Sequence, residues 1–374
     1  MLGLLRALLP PWASLRQAAP GIAVAVALAL LARAIADALA RGAVGLPRLP
    51  LSPVMCAVVL GMLWRNTLGV PGWATNGLKW AMHQLLRTGI ALVGLRLTLA
   101  GASSIALTAL PVALTCLTVA LLAGLGLARL FGVGTRLGAL LAIGTAVCGC
   151  TAVVAMSPVI RARHAETAFA VTCVVLFGCA AMLCYPWVAG RFFAASPVHA
   201  GIFLGTAIHD TSQVIGAGLI YSQQAQAPAA LAAASVAKLL RNLSIAVLVP
   251  LAAWRARRHG AGGDEHAGEP RHAGLAPHAQ LVPMFVVAFI AFIGVRTAGD
   301  ALLGESALWQ AVVNTGYKAS DLFLTCGMTA VGLSVSFIDM WRIGWRPLAA
   351  GLVVASLVGV CSLTLTLTLL HFAH

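Results

Sequence analysis

Between Arg96 and Arg129 no charged side chain interrupts the chain. Roughly 20 apolar residues let a helix cross the hydrocarbon of a bilayer, since a helix satisfies its own backbone amides and carbonyls. Comparable runs recur along all 374 residues, of which 60% are hydrophobic and 9% charged, with a mean hydropathy of +0.95. That pattern leaves no room for a soluble domain of independent size. It predicts one all-α polytopic membrane domain over residues 1–374 with about 10–11 transmembrane helices. The runs lie at about 19–39, 53–71, 81–101, 106–128, 137–157, 167–190, 198–220, 230–254, 280–298, 320–338 and 346–370.

The formal charge of +14 does not mark a nucleic-acid binder, because the basic residues fall between apolar runs rather than on one face. With the N-terminus inside, 13 Lys and Arg fall on the cytoplasmic side and six outside, among them Arg161 and Arg163. The bias predicts a multi-pass membrane protein, N-terminus in and C-terminus out; a re-entrant segment would flip whatever follows it. Pro10 and Pro11 break the apolar start, so residues 21–32 read as a first membrane helix rather than a cleaved signal. The one hydrophilic stretch, 254–279, is rich in Gly, Ala and His and reads as a flexible cytoplasmic loop. Its histidines, His259, His266 and His272, are too irregularly spaced for a metal tract. All nine cysteines sit inside apolar runs as small buried hydrophobes, with Cys148 and Cys150 set apart by their position.

Two segments spell nearly the same thing: Gly144-Thr-Ala-Val-Cys-Gly-Cys-Thr-Ala-Val153 and Gly205-Thr-Ala-Ile-His-Asp-Thr-Ser-Gln-Val214. Glycine and hydroxyls at membrane depth predict broken helices near 144–153 and 205–214. Paired Gly-interrupted segments point to a transporter's binding site. A second similarity joins Thr88–Leu99 to Cys326–Phe337, which share Gly and then Val-Gly-Leu in register, with Pro111 and Pro347 following. These copies fall in the third and tenth runs, so they face opposite ways, as inverted repeats do. The broken pair, in the fifth and seventh runs, does not share that offset.

Ionisable residues inside spans are costly and so mark function by default. Arg96, matched by Ser334 in the repeat, is either an oxyanion ligand or one half of a structural ion pair. His209 and Asp210 either relay protons for coupling or cap a helix break together with Thr211 and Ser212. Lys238, Arg241 and Asn242 share one helix face, which suits an anion unless the face snorkels to the interface. Gly144, Thr145, Cys148, Gly149 and Thr151 offer a small-residue backbone site, and Thr206 and Gln213 complete the candidate substrate-binding set. Glu166 and His164 read as solvated surface. No Walker loop, HExxH or GxSxG occurs, so the chain reads as neither an enzyme nor a cofactor or metal protein.

At these residues the chain resembles the YeiH-like family of bacterial inner-membrane proteins described as sulfate exporters. The likeness runs through Ala142–Val153 with Pro158-Val-Ile160, Glu166, Leu176-Phe-Gly178, Ala181-Met-Leu183 with Tyr185-Pro186, the Gly205–Gly218 segment with His209 and Gln213, and Lys238-Leu-Leu-Arg241. It covers about residues 55 to 365. The usual first segment is closer to Ser-Ile-Cys-Gly-Ala-Ser-Ala, whereas Cys150 and Thr151 stand here in place of Ala and Ser. The resemblance implies a secondary transporter of about ten helices, with inverted repeats like those of bile-acid and auxin carriers. It also implies a place in the bacterial inner membrane and export of sulfate, sulfite or a similar small inorganic or organosulfur anion; with no Walker loop to bind ATP, a proton or sodium gradient would drive it. Two other readings stand beside it. One is a sodium- or proton-coupled cation antiporter or organic anion carrier using Asp210 and unwound carbonyls. The other is an intramembrane sensor or enzyme built on Cys148, Cys150 and His209. A homo-oligomer is compatible with the sequence.

Overall fold

The structure is a computed structural model that describes residues 12–41, 51–258, 284–304, 306–338 and 345–372. It is 88% helical and contains no strand among those residues. Among the described residues six helices are long and apolar enough to cross a membrane: Gln17–Ala40, Leu99–Leu130, His164–Phe192, Pro228–Leu248, Met284–Leu303 and Trp345–Phe372. The protein is an all-α polytopic membrane protein.

In chain order, α1 is Trp12–Ala40, α2 Pro53–Thr67 and α3 Gly72–Trp80, which a π-turn at Ala81–Leu85 joins to α4, Leu86–Val93. A short 3-10 turn, Gly94–Arg96, precedes α5, Leu99–Leu130. Next come α6 (Thr135–Ala146), α7 (Cys150–Met156), α8 (His164–Phe192), α9 (Pro197–Ala207), α10 (Thr211–Gln224), α11 (Pro228–Leu243) and α12 (Ile245–Arg258). Last are α13 (Met284–Leu303), α14 (Ala307–Ser334) and α15 (Trp345–Phe372). The tenth run thus begins at Ala307 rather than 320, and the third breaks after Val93. The start of the predicted loop, 254–258, is the end of α12, and 259–279 lies outside the described residues.

The fifth and seventh runs break where the sequence indicates, but neither continues across the bundle. In a continuous helix residues 144 and 153 would be about 13 Å apart along the axis. Here a Cβ built on Gly144 would lie 2.7 Å from Val153 Cγ2, so α7 folds back beside α6. The reversal turns on Gly149, at φ 71° and ψ −127°, a conformation that side chains essentially forbid. The second break reverses as well. Along α9, Gly201 abuts Ala230 and Ala233, and Gly205 abuts Ala234 and Ala237, so α9 runs parallel to α11. Along α10 the order is opposite: Asn242 reaches Thr211, whereas Gly218 meets Leu231 and Ala234. Tyr221 Oη donates to Phe193 O (3.4 Å), which places the end of α10 beside the start of α9. Both broken segments are therefore re-entrant hairpins. The first enters from the face where α6 and α8 begin, and the second from the face where α8 ends. Of the eleven predicted spans, two turn back, and six of the others coincide with the helices long and apolar enough to cross a membrane.

The hairpins also explain how the two sequence similarities combine. In the Thr88/Cys326 repeat the contacts are reciprocal: a Cβ on Gly89 would meet Leu324, and one on Gly327 would meet Leu86, its counterpart in the other copy. Both copies unwind in register, with Leu97 N–H donating to Gly94 O (3.1 Å) and Val335 N–H to Gly332 O (3.2 Å). Reciprocal contact is the mark of a two-fold relation. Extending the match pairs α2 with α13, α3–α4 with α14 and α5 with α15. The hairpin α6–α7 plus α8 then pairs with the hairpin α9–α10 plus α11. Each set packs alike: α6 lies on α5 and α9 on α15, while α2 lies on α14 and α13 on α4. The bundle is one inverted repeat of five units whose second copy is circularly permuted in chain order, with α1 added against α2 and α3.

Candidate functional site

The hairpin tips meet near the middle of the bundle. A Cβ on Gly149 would lie 2.6 Å from Asp210 Oδ2 and 2.9 Å from Asp210 Cα, so only glycine allows this approach. Turning back leaves the last carbonyls of α6 and α9 without helical partners. Lys238 and Arg241, one turn apart on α11 and 0% and 1% exposed, supply the donors. Lys238 Nζ donates to Val147 O (2.8 Å), Ile208 O (3.1 Å) and His209 O. Arg241 donates from Nε to Ala146 O (3.1 Å), from Nη1 to Thr206 O and from Nη2 to Thr145 O and Ala146 O (2.6 and 2.7 Å). One pair of cations thus ties both tips together. Each half-helix C-terminus carries about half a negative charge, so the two together offset about one of the two positive charges. Among the described residues no carboxylate oxygen comes within 4.0 Å of either cation; the ion pairs are Arg96–Asp321 and Arg296–Asp300.

Polar groups line the open side of the tips. Cys150, Asp210, Thr211 and Ser212 are half-buried and Thr151 is exposed. Asp210 caps α10, accepting from Ser212 N–H (2.9 Å) and Ser212 Oγ. Asn242 Nδ2 donates to Thr211 Oγ1 (3.1 Å) and its Oδ1 has no partner. His209 is buried, and neither ring nitrogen has a partner. Unmet polar groups are costly in an interior and call for a role or a solvent molecule.

The sequence candidates divide into three groups. Thr145, Cys148, Gly149, Thr151, His209, Asp210, Lys238, Arg241 and Asn242 gather at the tips, although Thr145 contributes its carbonyl. Gly144, Thr206 and Gln213 buttress them. Gly144 lets α7 and α8 close in, and Thr206 Oγ1 bonds Ser362 Oγ of α15 (2.7 Å). Gln213 Nε2 donates to Val175 O (3.1 Å) in a slot that Gly178 leaves open. Arg96 is elsewhere: its Nη2 pairs with Asp321 Oδ1 at 2.6 Å, beneath the Tyr317 ring at 5.0 Å. That is the structural ion pair rather than a tip ligand. Glu166 sits at the exposed start of α8, where it accepts from Arg163 N–H (2.7 Å). Sequence reasoning did not find the Arg296–Asp300–Tyr317 cluster or Ser362. Asp321, ionisable inside a predicted span, was the signal for Arg96's partner.

Residues 20–351 match the family described as conserved hypothetical protein 698. The chain belongs to this YeiH-like family. Among curated YeiH-like relatives, the UPF0324 membrane protein RSc1111 of Ralstonia nicotianae is 32% identical over 320 residues, covering 83% of this chain and 84% of its own. A UPF0324 membrane protein of Nitratidesulfovibrio vulgaris is 28% identical over 356 residues, covering 94% and 93%. Another from Oceanobacillus iheyensis, OB3406, is 30% identical over 333 residues, covering 89% and 90%. No solved structure matches the chain significantly.

Proposed function

We propose that this YeiH-like protein is a secondary transporter of a small oxyanion, sulfate or sulfite by class, and that the anion binds where the two hairpin tips meet. The observation that carries this reading is the buried pair Lys238 and Arg241, which no carboxylate neutralises within ion-pair distance among the described residues. Excess positive charge in low dielectric attracts an anion strongly. Thr151, Thr211 and Ser212 lie on the open side and supply hydroxyls, and the buried Asn242 donates to Thr211 behind them. The same geometry weighs against a cation antiporter, because the unwound carbonyls that would ligate a cation already accept from an ammonium and a guanidinium. Hairpins entering from opposite faces give each tip its own route to water, as alternating access requires. His209, with no partner for its ring, is the group on which proton coupling would turn.

The topology favours a cytoplasmic N-terminus. The first hairpin moves Arg161 and Arg163 to the N-terminal side, and the second restores the original sense after Arg191 has moved outward. The Lys/Arg balance then rises from 13 against six to 14 against five.

The test is reconstitution. Liposomes containing the protein and loaded with sulfate should exchange labelled sulfate or sulfite in a saturable manner that does not need sodium. Absence of exchange for every small oxyanion, or sodium movement without anion, would overturn the reading.

A further inference from the structure

The face of α3–α4 that looks away from α1 and α14 is polar. Asn76, Lys79, His83 and Arg87 recur at helical spacing and all are exposed. The other two faces are apolar or small and packed: Ala74, Leu78 and Ala81 lie in the cluster shared with α1, and Leu86, Ile90 and Val93 lie in the main core. Position along the helix decides what the polar face can meet. At about 1.5 Å per residue, His83 is roughly 16 Å from the helix start at Gly72 and about 20 Å from the break at Arg96. That is close to the middle of a hydrocarbon core about 30 Å thick. Lys79 can snorkel towards its end of the helix, but an imidazole at that depth cannot, and Arg87, one turn further on, is still about 14 Å from the break at Arg96. Neither Lys79 nor Arg87 has a hydrogen-bond or ion-pair partner among the described residues. Lipid contact would leave these cations unsolvated.

This face lies near the site. α10, which Asp210 caps, packs against α14, on which α4 also packs, and the Asp210 carboxylate is near enough for its charge to be felt at the His83 ring. α4 also packs against α11, the helix that carries Lys238 and Arg241. The helix itself is irregular here, since His83 is the central residue of the π-turn Ala81–Leu85, and such turns re-aim side chains at functional sites. The inverted repeat sharpens the contrast. The counterpart of His83, by the same register that pairs Gly89 with Gly327, is Asp321, and there the carboxylate is closed off by Arg96. One half of the molecule holds a neutralised pair at this depth, and the other presents free cations.

We infer that Asn76, Lys79, His83 and Arg87 line a water-filled, cationic vestibule through which a small oxyanion reaches the hairpin tips, with His83 and Arg87 as its contacts at mid-membrane depth. This inference rests on the anion-transport reading and supplies its entry path and its specificity-determining residues. Arg87 offers a planar fork to two oxygens of a tetrahedral or pyramidal oxyanion. His83 and Lys79 add donors on the same line. Asp210 at the far end would repel an anion unless Lys238 and Arg241 outweigh it, which places the resting position on the side of the tips nearest α11.

The experiment is thiol labelling in proteoliposomes. Single cysteines replace His83, Arg87 or Leu107, a 73% exposed apolar residue of α5, in a chain whose less buried native cysteines, Cys150, Cys184 and Cys361, are serine. A charged, membrane-impermeant maleimide should modify H83C and R87C at least about tenfold faster than L107C, because the thiolate forms only in water. Sulfate or selenate, which do not react with maleimide, should slow both reactions several-fold, while chloride at equal ionic strength should not. Labelling of H83C and R87C no faster than of L107C would overturn the vestibule, and fast labelling indifferent to every oxyanion would overturn its role in anion passage. If labelling is fast and oxyanion-protected but exchange is absent, the vestibule stands and the transport reading fails. Arg87→Gln should raise KM for exchange several-fold without lowering the apparent Tm, and Arg87→Lys should restore part of it.

Discussion

Replacing Lys238 with methionine tests whether the buried cation is a structural tie or only a ligand. The substitution keeps most of the length of the side chain and removes its three donors. Val147 O, Ile208 O and His209 O, drawn from both hairpin tips, would then face each other unsatisfied. Each buried acceptor left unmet costs about 1–3 kcal/mol, so the loss is roughly 3–9 kcal/mol before relaxation. Relief of the buried charge returns part of that, but water entering the tips is the only other way to satisfy the carbonyls. At about 2 °C per kcal/mol, the lower bound corresponds to a fall in apparent Tm of about 6 °C for the detergent-solubilised protein. Scanning fluorimetry reads the shift, and Lys238→Arg should recover part of it. A Lys238→Met protein that melts within a degree or two of the parent while losing anion exchange would refute the tie. It would make Lys238 a ligand whose carbonyl contacts carry no weight.

Other substitutions separate the groups of residues. Gly149→Ala should cost about 1–3 kcal/mol from its positive φ alone and also push the tips apart at Asp210, giving a lower Tm and loss of exchange. Arg96→Met with Asp321→Asn should retain exchange, since that pair lies away from the tips; abolished exchange with an unchanged Tm would bring Arg96 back to the site. His209→Leu should leave the Tm unchanged or raise it, because the ring nitrogens have no partner to lose, while proton-driven exchange should fall sharply. Preserved proton coupling in that variant would remove His209 from the mechanism.

The positions of the breaks were legible in the sequence, but the reversal of the chain at each was not. A 12-residue helix followed by a 7-residue one, or an 11-residue helix by a 14-residue one, is long enough to cross a bilayer end to end. What turns them back is a positive φ at Gly149 and the small-residue seam of Gly201, Gly205 and Gly218 along α11. Neither feature differs in composition from an ordinary membrane helix contact. The Val-Gly-Leu repeat was visible, and its relation to the breaks was hidden because the second copy is permuted in order. Lys238 and Arg241 could be placed on one face from their spacing. Their partners could not be read, since backbone carbonyls have no signature in sequence. Arg96 shows the same limit: its carboxylate partner lies 225 residues away.

The central claim is that an oxyanion binds where the tips meet. The most direct measurement is anomalous diffraction from crystals of the full chain soaked in selenate. The account predicts one strong peak bounded by Thr151, Thr211, Ser212 and Asn242, weakened by an excess of sulfate. A peak confined to the open groove of about 370 Å³ at Arg296, Gln310 and Tyr317, with none at the tips, would contradict it.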